Sequence, residues 1–337
     1  MSGGPCRLVE GERAGWRALT LENDLLRTTV LPEKGADVVE LVDLASGTDL
    51  LFHAPWGLQP PGAPPREGSG GHAFLENYAG GWQELFPSAG DPCVVDGEPI
   101  PFHGEVATLP WDVGVGSEGG EEVSVRLSVR CRRTPFRLER TLRLVSGAPT
   151  LLVEETAAND SARTAHLVWG HHCVLGPPFV ERGCLLRVPA ATLETIPELW
   201  EETARLRPGQ RSPWPHGRLR RGGTADLSVV PGPEEGSHDD VYLTDLDGGW
   251  LEVENPRLEL GFRLEWDPSV FRWVVSWQPY GGARALPLAG AYALGVEPWT
   301  TRLDLARAIE AGEAIALGPG ETMRTTLRAT VVTRGAR

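Results

Sequence analysis

Three short segments concentrate groups that can hold or move protons among apolar residues. They are Pro101-Phe102-His103-Gly104-Glu105 with Trp111 close behind, Trp169-Gly170-His171-His172-Cys173, and Gly295-Val296-Glu297-Pro298-Trp299. Imidazoles and carboxylates are the side chains that do general acid and base work near neutral pH. On a straight strand His166, Val168, Gly170, His172 and Val174 share one face, and Leu167, Trp169, His171, Cys173 and Leu175 share the other. The second set is largely apolar, so the spacing predicts that His171 faces the core and His172 an open cleft. A bulge would exchange the two, and His171 therefore stays a substrate-binding candidate beside His172. In the third segment Glu297 shares a face with Ala293 and Gly295, small neighbours that leave room for a ligand, and Pro298 ends the pairing where sites tend to be built. Against this stand the commoner roles of such residues: a hydrogen-bonded structural histidine, and a solvated glutamate at a strand end.

Other chemistries lack their signatures. HxH and HExxH spacings are absent, and Cys6, Cys93, Cys131, Cys173 and Cys184 are scattered without a CxxC pair, so neither a metal site nor a disulfide framework is expected. No GxSxG elbow and no glycine fingerprint after a strand occur. Lys34 is the only lysine, in what reads as a surface turn, which removes Schiff-base and P-loop chemistry. Acidic residues outnumber basic ones 46 to 32 for a net charge of −14, so no nucleic-acid or membrane partner is expected. The start of the chain shows no apolar stretch after a basic patch, giving an expectation of a cytoplasmic protein.

The elements that must position these groups are strands. Leu258, Leu260, Phe262, Leu264 and Trp266 alternate with Glu259, Gly261, Arg263 and Glu265. The same period runs through Val123 to Val129, through Leu138 to Leu144 with Arg140 breaking the apolar face, through Phe271 to Trp277, and through Leu327 to Val331. Helical signals are confined to Leu303–Ala311, with Thr300 or Thr301 as cap and Gly312 as stop, and to Ile196–Leu206. Gly57–Gly71 reads as a long loop among 41 glycines and 29 prolines. The prediction is an all-β antiparallel sandwich, residues 1–337 forming one domain. Among twelve tryptophans, Trp277 fits the core most simply by its alternation; sugar-binding clefts also use such flat rings, and the tryptophans alone decide nothing.

Taken in order, the segments resemble the aldose 1-epimerase (galactose mutarotase-like) family over nearly the whole chain. The resemblance begins at Leu21-Glu22-Asn23-Asp24-Leu25 and Leu31-Pro32-Glu33-Lys34-Gly35-Ala36. It continues through Leu85-Phe86-Pro87, His103-Gly104 with Trp111 and Trp169-Gly170-His171-His172, and closes with Gly295-Val296-Glu297-Pro298 and Leu317-Gly318-Pro319-Gly320-Glu321. It implies a β-supersandwich of large twisted antiparallel sheets and the interconversion of the anomers of an aldose. A base takes the proton of the anomeric hydroxyl while an acid protonates the ring oxygen. By the resemblance Glu297 is the base and His172, as imidazolium, the acid, each favouring the other's charged form. His103 would bond the ring oxygen or a hydroxyl, Asp239 would anchor hydroxyls, and Trp277 would stack. The implied partner is a small-molecule sugar, with no cofactor and no metal, on a monomer or homodimer. Two departures bear on the substrate: the "N-R" pair before the "HG" histidine is missing between Asn77 and Pro101, and Glu105 replaces an aromatic-plus-arginine run. Two alternatives stand beside the mutarotase: a hexose-6-phosphate 1-epimerase using Arg140 or Arg284, and a carbohydrate-binding protein without turnover.

Overall fold

The computed structural model describes residues 6–64 and 72–333. The alternating segments form strands, and because one face of each is apolar, the register that buries that face is the one adopted. Glu122–Arg130, Phe136–Val145, Thr150–Asn159, Thr322–Thr333 and Leu260–Glu265 lie side by side, all antiparallel. Val123, Val125, Leu127, Leu138, Leu142, Leu144, Leu151 and Val153 point from them into one core, and each is at most 1% exposed. Each such side chain taken from water contributes about 1.5–3 kcal/mol. The succession continues through Asp112–Gly120, Cys6–Arg13, Trp16–Glu22 and Leu26–Leu31 to Asp37–Asp43. There Val38 pairs with Trp82 and hands over to a second set of strands.

That second set carries the chemistry. In order it is Trp82–Leu85, Gly170–Leu175, Glu297–Trp299, Trp273–Tyr280, Ser237–Leu246 and Ala190–Thr195. The whole is the expected all-β supersandwich, with two helices among the described residues, Ala73–Asn77 and Leu305–Ala311. No helix among those residues is long and apolar enough to cross a membrane.

Several local expectations are corrected. The helix near the C-terminus starts at Leu305, capped by Asp304, whose side chain accepts from the Arg307 amide, while Gly312 stops it at φ 71°. Thr301 instead bonds Glu313. Ile196–Leu206 forms no helix, because outside groups hold it: Thr203 donates to the Gly282 carbonyl, and Arg205 binds Asp239. Of the predicted Gly57–Gly71 loop, residues 57–64 have no regular structure and 65–71 lie outside the described residues. Lys34 is not on the surface: it is 6% exposed and ion-paired with the buried Asp37. The 165–175 segment breaks into Ala165–Leu167 and Gly170–Leu175, since the Val168 and Trp169 amides turn to Pro87 and Thr300, yet its two faces keep their alternation.

Candidate functional site

Four neighbouring strands present one face to a single cavity of about 660 Å³. Their registers set the order across it. Gly170 pairs with Trp299, Val275 with Glu297, and Asp240 with Trp277, so His172, Glu297, Trp277 and Asp240 stand on adjacent strands and all line the cavity. Glycine makes room twice. A Cβ at Gly295 would lie 2.5 Å from Glu297 Oε1 and 2.8 Å from the Trp277 Cβ, and one at Gly104, where φ is 79°, would lie 2.4 Å from the Phe86 carbonyl oxygen. The second close approach seats His103, itself in the left-handed region at φ 62°, against the cavity.

His172 Nε2 lies 3.7 Å from Glu297 Oε1. Phe74 meets His103 and His172 edge to face, with ring centres 4.6 Å and 5.3 Å apart, and Tyr78 meets His172 at 5.2 Å, which fixes the imidazole planes. His103 Nδ1 accepts from the Gly90 amide at 3.0 Å, so the neutral ring carries its proton on Nε2, the nitrogen left to donate. His172 Nδ1, Asp240 Oδ1 and Tyr78 Oη are buried, with neither a hydrogen-bond nor an ion-pair partner among the described residues. Buried polar atoms are normally paired, so three such atoms around one cavity mark where a polar ligand would sit.

Burial dominates the electrostatics here. It pushes the His172 imidazole down to about 3 and His103 well below its usual value, with the charge of His172 adding to the second. It pushes the Glu297 carboxyl well above the usual carboxylate range, with Asp240 adding, and Asp240 up to about 7. The expectation of a mutually stabilised imidazolium and carboxylate is thereby corrected. Burial outweighs attraction for both groups, and so favours neutral imidazole and carboxylic acid over the charged pair. Both arrangements hold one transferable proton and differ only in where it sits.

Two predicted site residues are placed elsewhere. His171 is fully buried on the opposite face, where Trp82 Nε1 donates to its Nδ1 at 3.2 Å and Glu155 Oε2 lies 3.3 Å from its Nε2. Glu84, Glu155 and His171 could together hold a metal ion, but Arg140 already supplies the cation, ion-paired with Glu84 and donating to Glu155 at 2.8 Å. Asp239 also turns from the cavity and accepts from the Arg205 and Leu206 amides, each at 3.0 Å, and from Arg205 Nε at 2.8 Å. Its neighbour Asp240 takes the cavity position. Strand parity identifies it: Val241 and Leu243, on Asp239's face, are apolar core residues, whereas Asp240 shares a face with Tyr242. Phe74 and Tyr78 had no such signal, because their short helix follows a proline-rich loop without periodicity.

The arginines proposed for a phosphate are also accounted for. Arg140 belongs to the core network, and Arg284 is exposed, 3.7 Å from Glu202. The cavity's own Arg302 and Arg307 already face carboxylates, Arg302 Nε lying 3.0 Å from Glu194 and Arg307 lying 3.3 Å from Asp304 and 3.6 Å from Asp91. Glu105, the departure after the "HG" pair, is buried and accepts from the Arg132 and Arg133 amides and the Thr134 hydroxyl, at 2.7, 2.9 and 2.9 Å. It staples a loop and does not reach the cavity.

The family model for a domain of unknown function, DUF4432, matches residues 13–331. No curated protein matches the chain. Among solved structures, the Slr1438 protein from Synechocystis sp. PCC 6803 is 19% identical with a TM-score of 0.70, the match covering 96% of this chain and 99% of that one. A Klebsiella pneumoniae subsp. pneumoniae protein, provisionally named an aldose 1-epimerase, is 17% identical with a TM-score of 0.72, the match covering 96% and 81%. A galactose mutarotase-like protein from Clostridium acetobutylicum is 16% identical with a TM-score of 0.65, the match covering 97% and 99%. At these identities the likeness is one of fold.

Proposed function

The chain belongs to the DUF4432 family and has a galactose mutarotase-like fold, and from that premise we propose that it is an aldose 1-epimerase. The observation that carries this reading is the His172–Glu297 pair, 3.7 Å apart on the wall of a cavity that also holds an indole plane and polar atoms in want of partners. The sugar's apolar face lies on Trp277, and Asp240, in place of Asp239, accepts its hydroxyls. His103 Nε2–H donates to an oxygen of the ring or its substituents.

Burial favours the shared proton on Glu297 over His172. A hydroxyl donating to that carboxyl favours the carboxylate, and passing the proton to His172 sets the pair for opening. Glu297 then takes the proton of O1 while His172 gives one to O5. The C1–O5 bond breaks, C1 becomes an aldehyde carbon and turns about the C1–C2 bond, and closure on its other face returns both protons. No group outside the chain is required by this balance, and positioned proton transfer contributes about 10²–10⁴-fold.

The test is anomer exchange by NMR saturation transfer with glucose, galactose, xylose and glucose 6-phosphate. Exchange of a neutral aldose is expected, slowed about 10²–10⁴-fold in Glu297→Gln and His172→Asn. Wild-type rates in both variants would overturn the assignment, and saturable binding without exchange would leave a carbohydrate-binding protein. Because Arg302 and Arg307 already have carboxylate partners, glucose 6-phosphate is expected to gain nothing over glucose.

A further inference from the structure

The cavity is larger than one sugar ring requires. Even at ~30 Å³ per non-hydrogen atom, the share a water takes in the liquid, the twelve such atoms of a hexose fill about 360 Å³. That is little more than half of the 660 Å³ present. Beyond the four strands the lining reaches the Ile196–Trp200 segment, which contributes Leu199 and Trp200 at the exposed mouth. These two are 46% and 43% exposed, and are two of six large apolar side chains so exposed among the described residues. Adjacent apolar side chains left in water at the mouth of a cleft mark a surface that a ligand covers.

Trp200 is held there. Its ring meets His238 edge to face at 4.3 Å. His238 Nε2 in turn accepts from Trp277 Nε1 at 2.7 Å, which puts the imidazole proton on Nδ1, 3.4 Å from Glu201 Oε2. One buried histidine therefore ties the outer indole, and the segment bearing it, to the inner indole beside Glu297. The carboxylate of Glu198, on the same segment, lines the same cavity and can accept hydroxyl protons.

We infer that the cavity takes a reducing oligosaccharide of at least two rings, its reducing end at His172 and Glu297 and its next ring stacked on Trp200. This rests on the epimerase reading, which also fixes the linkage: ring opening needs a free hydroxyl at C1, so the second ring is joined through another hydroxyl of the first. An apolar group at C1 would fill the same space but would block the reaction.

Saturation transfer with the full chain tests it, using maltose, lactose and cellobiose against glucose and galactose. At least one disaccharide is expected to exceed both monosaccharides in kcat/KM by roughly tenfold, the worth of one good ring contact. Trp200→Ala should collapse that ratio, and Trp200→Phe, which keeps a ring, should restore part of it. The side chain is half exposed, so an unchanged thermal midpoint is expected and separates loss of the subsite from loss of the fold. Monosaccharide exchange without any disaccharide advantage, or a ratio unmoved by Trp200→Ala, overturns this inference alone. Acceleration of neither class overturns the epimerase reading and this inference with it.

Discussion

His171 and His172 leave opposite faces of one strand and end in opposite kinds of surroundings. On the core face His171 sits among Trp82, Glu84, Glu155 and Arg140, where each charge has its counter-charge. On the cavity face His172 has Glu297 at 3.7 Å and nothing on its Nδ1 among the described residues. The consequence shows in the carboxylates. Burial raises Glu155 too, but His171 and Arg140 more than offset it and hold Glu155 below its usual range. Glu297, equally buried, has no cation to offset burial and is driven well above. The lesson is that burial alone does not make a group reactive. A satisfied buried network fixes structure, whereas an unsatisfied one beside a cavity is poised for a ligand.

The largest way to break this comparison is to remove the cation of the core face. Arg140→Met leaves Glu84 and Glu155 buried without it, and removing one partner of a buried ion pair costs about 3–5 kcal/mol. Urea unfolding should show that loss for Arg140→Met and much less for His172→Asn, whose ring has no buried ion-pair network to forfeit. Equal losses would mean that the two faces do not differ as described.

Asp239 and Asp240 repeat the contrast on a smaller scale. Asp239→Asn weakens charge-assisted bonds to Arg205 and two amides, which contribute about 1.5–3 kcal/mol. Asp240→Asn forfeits no arginine partner and should instead raise KM for the sugar with little change in stability. Measuring both quantities on both variants sharpens the comparison. A KM effect confined to Asp239→Asn would return the sugar contact to that residue.

The contrast also marks how far the sequence could be read. Period-two alternation placed His172 and His171 on their faces, since Leu167, Trp169 and Leu175 declare the core side by their own chemistry. Arg140 was visible only as a break in that pattern, because its partners come from strands far away in the chain and pairing order is not a local property. The family resemblance implies Asp239, where strand parity chooses Asp240. Glu297 and Gly295 were legible together, a carboxylate beside the residue that leaves it space. Ile196–Leu206 reads as helical in the sequence, whereas its Leu199 and Trp200 line a cavity that only the assembled sheet creates.

The finest test uses pH, because burial moves a carboxyl and an imidazole in opposite directions. Asp240 is pushed up to about 7, first by burial and then by Asp239's charge. Between its unfolded value of about 4 and 7 the native state binds more protons than the unfolded one, so stability falls as pH rises through that window. Asp240→Asn removes that penalty, and its thermal midpoint relative to wild type should be higher by a few degrees at about pH 8 than at about pH 5. His172, pushed down to about 3 by burial, does the reverse. Between about 3 and 6.5 the native state binds fewer protons, so stability is lost as pH falls, and His172→Asn should gain relative to wild type at about pH 4 and not at about pH 8. Opposite slopes from residues lining one cavity are what desolvation without counter-charge demands. Parallel slopes, or none, would mean that the two groups find charge partners in solution and that the cavity face is as well satisfied as the core face behind it.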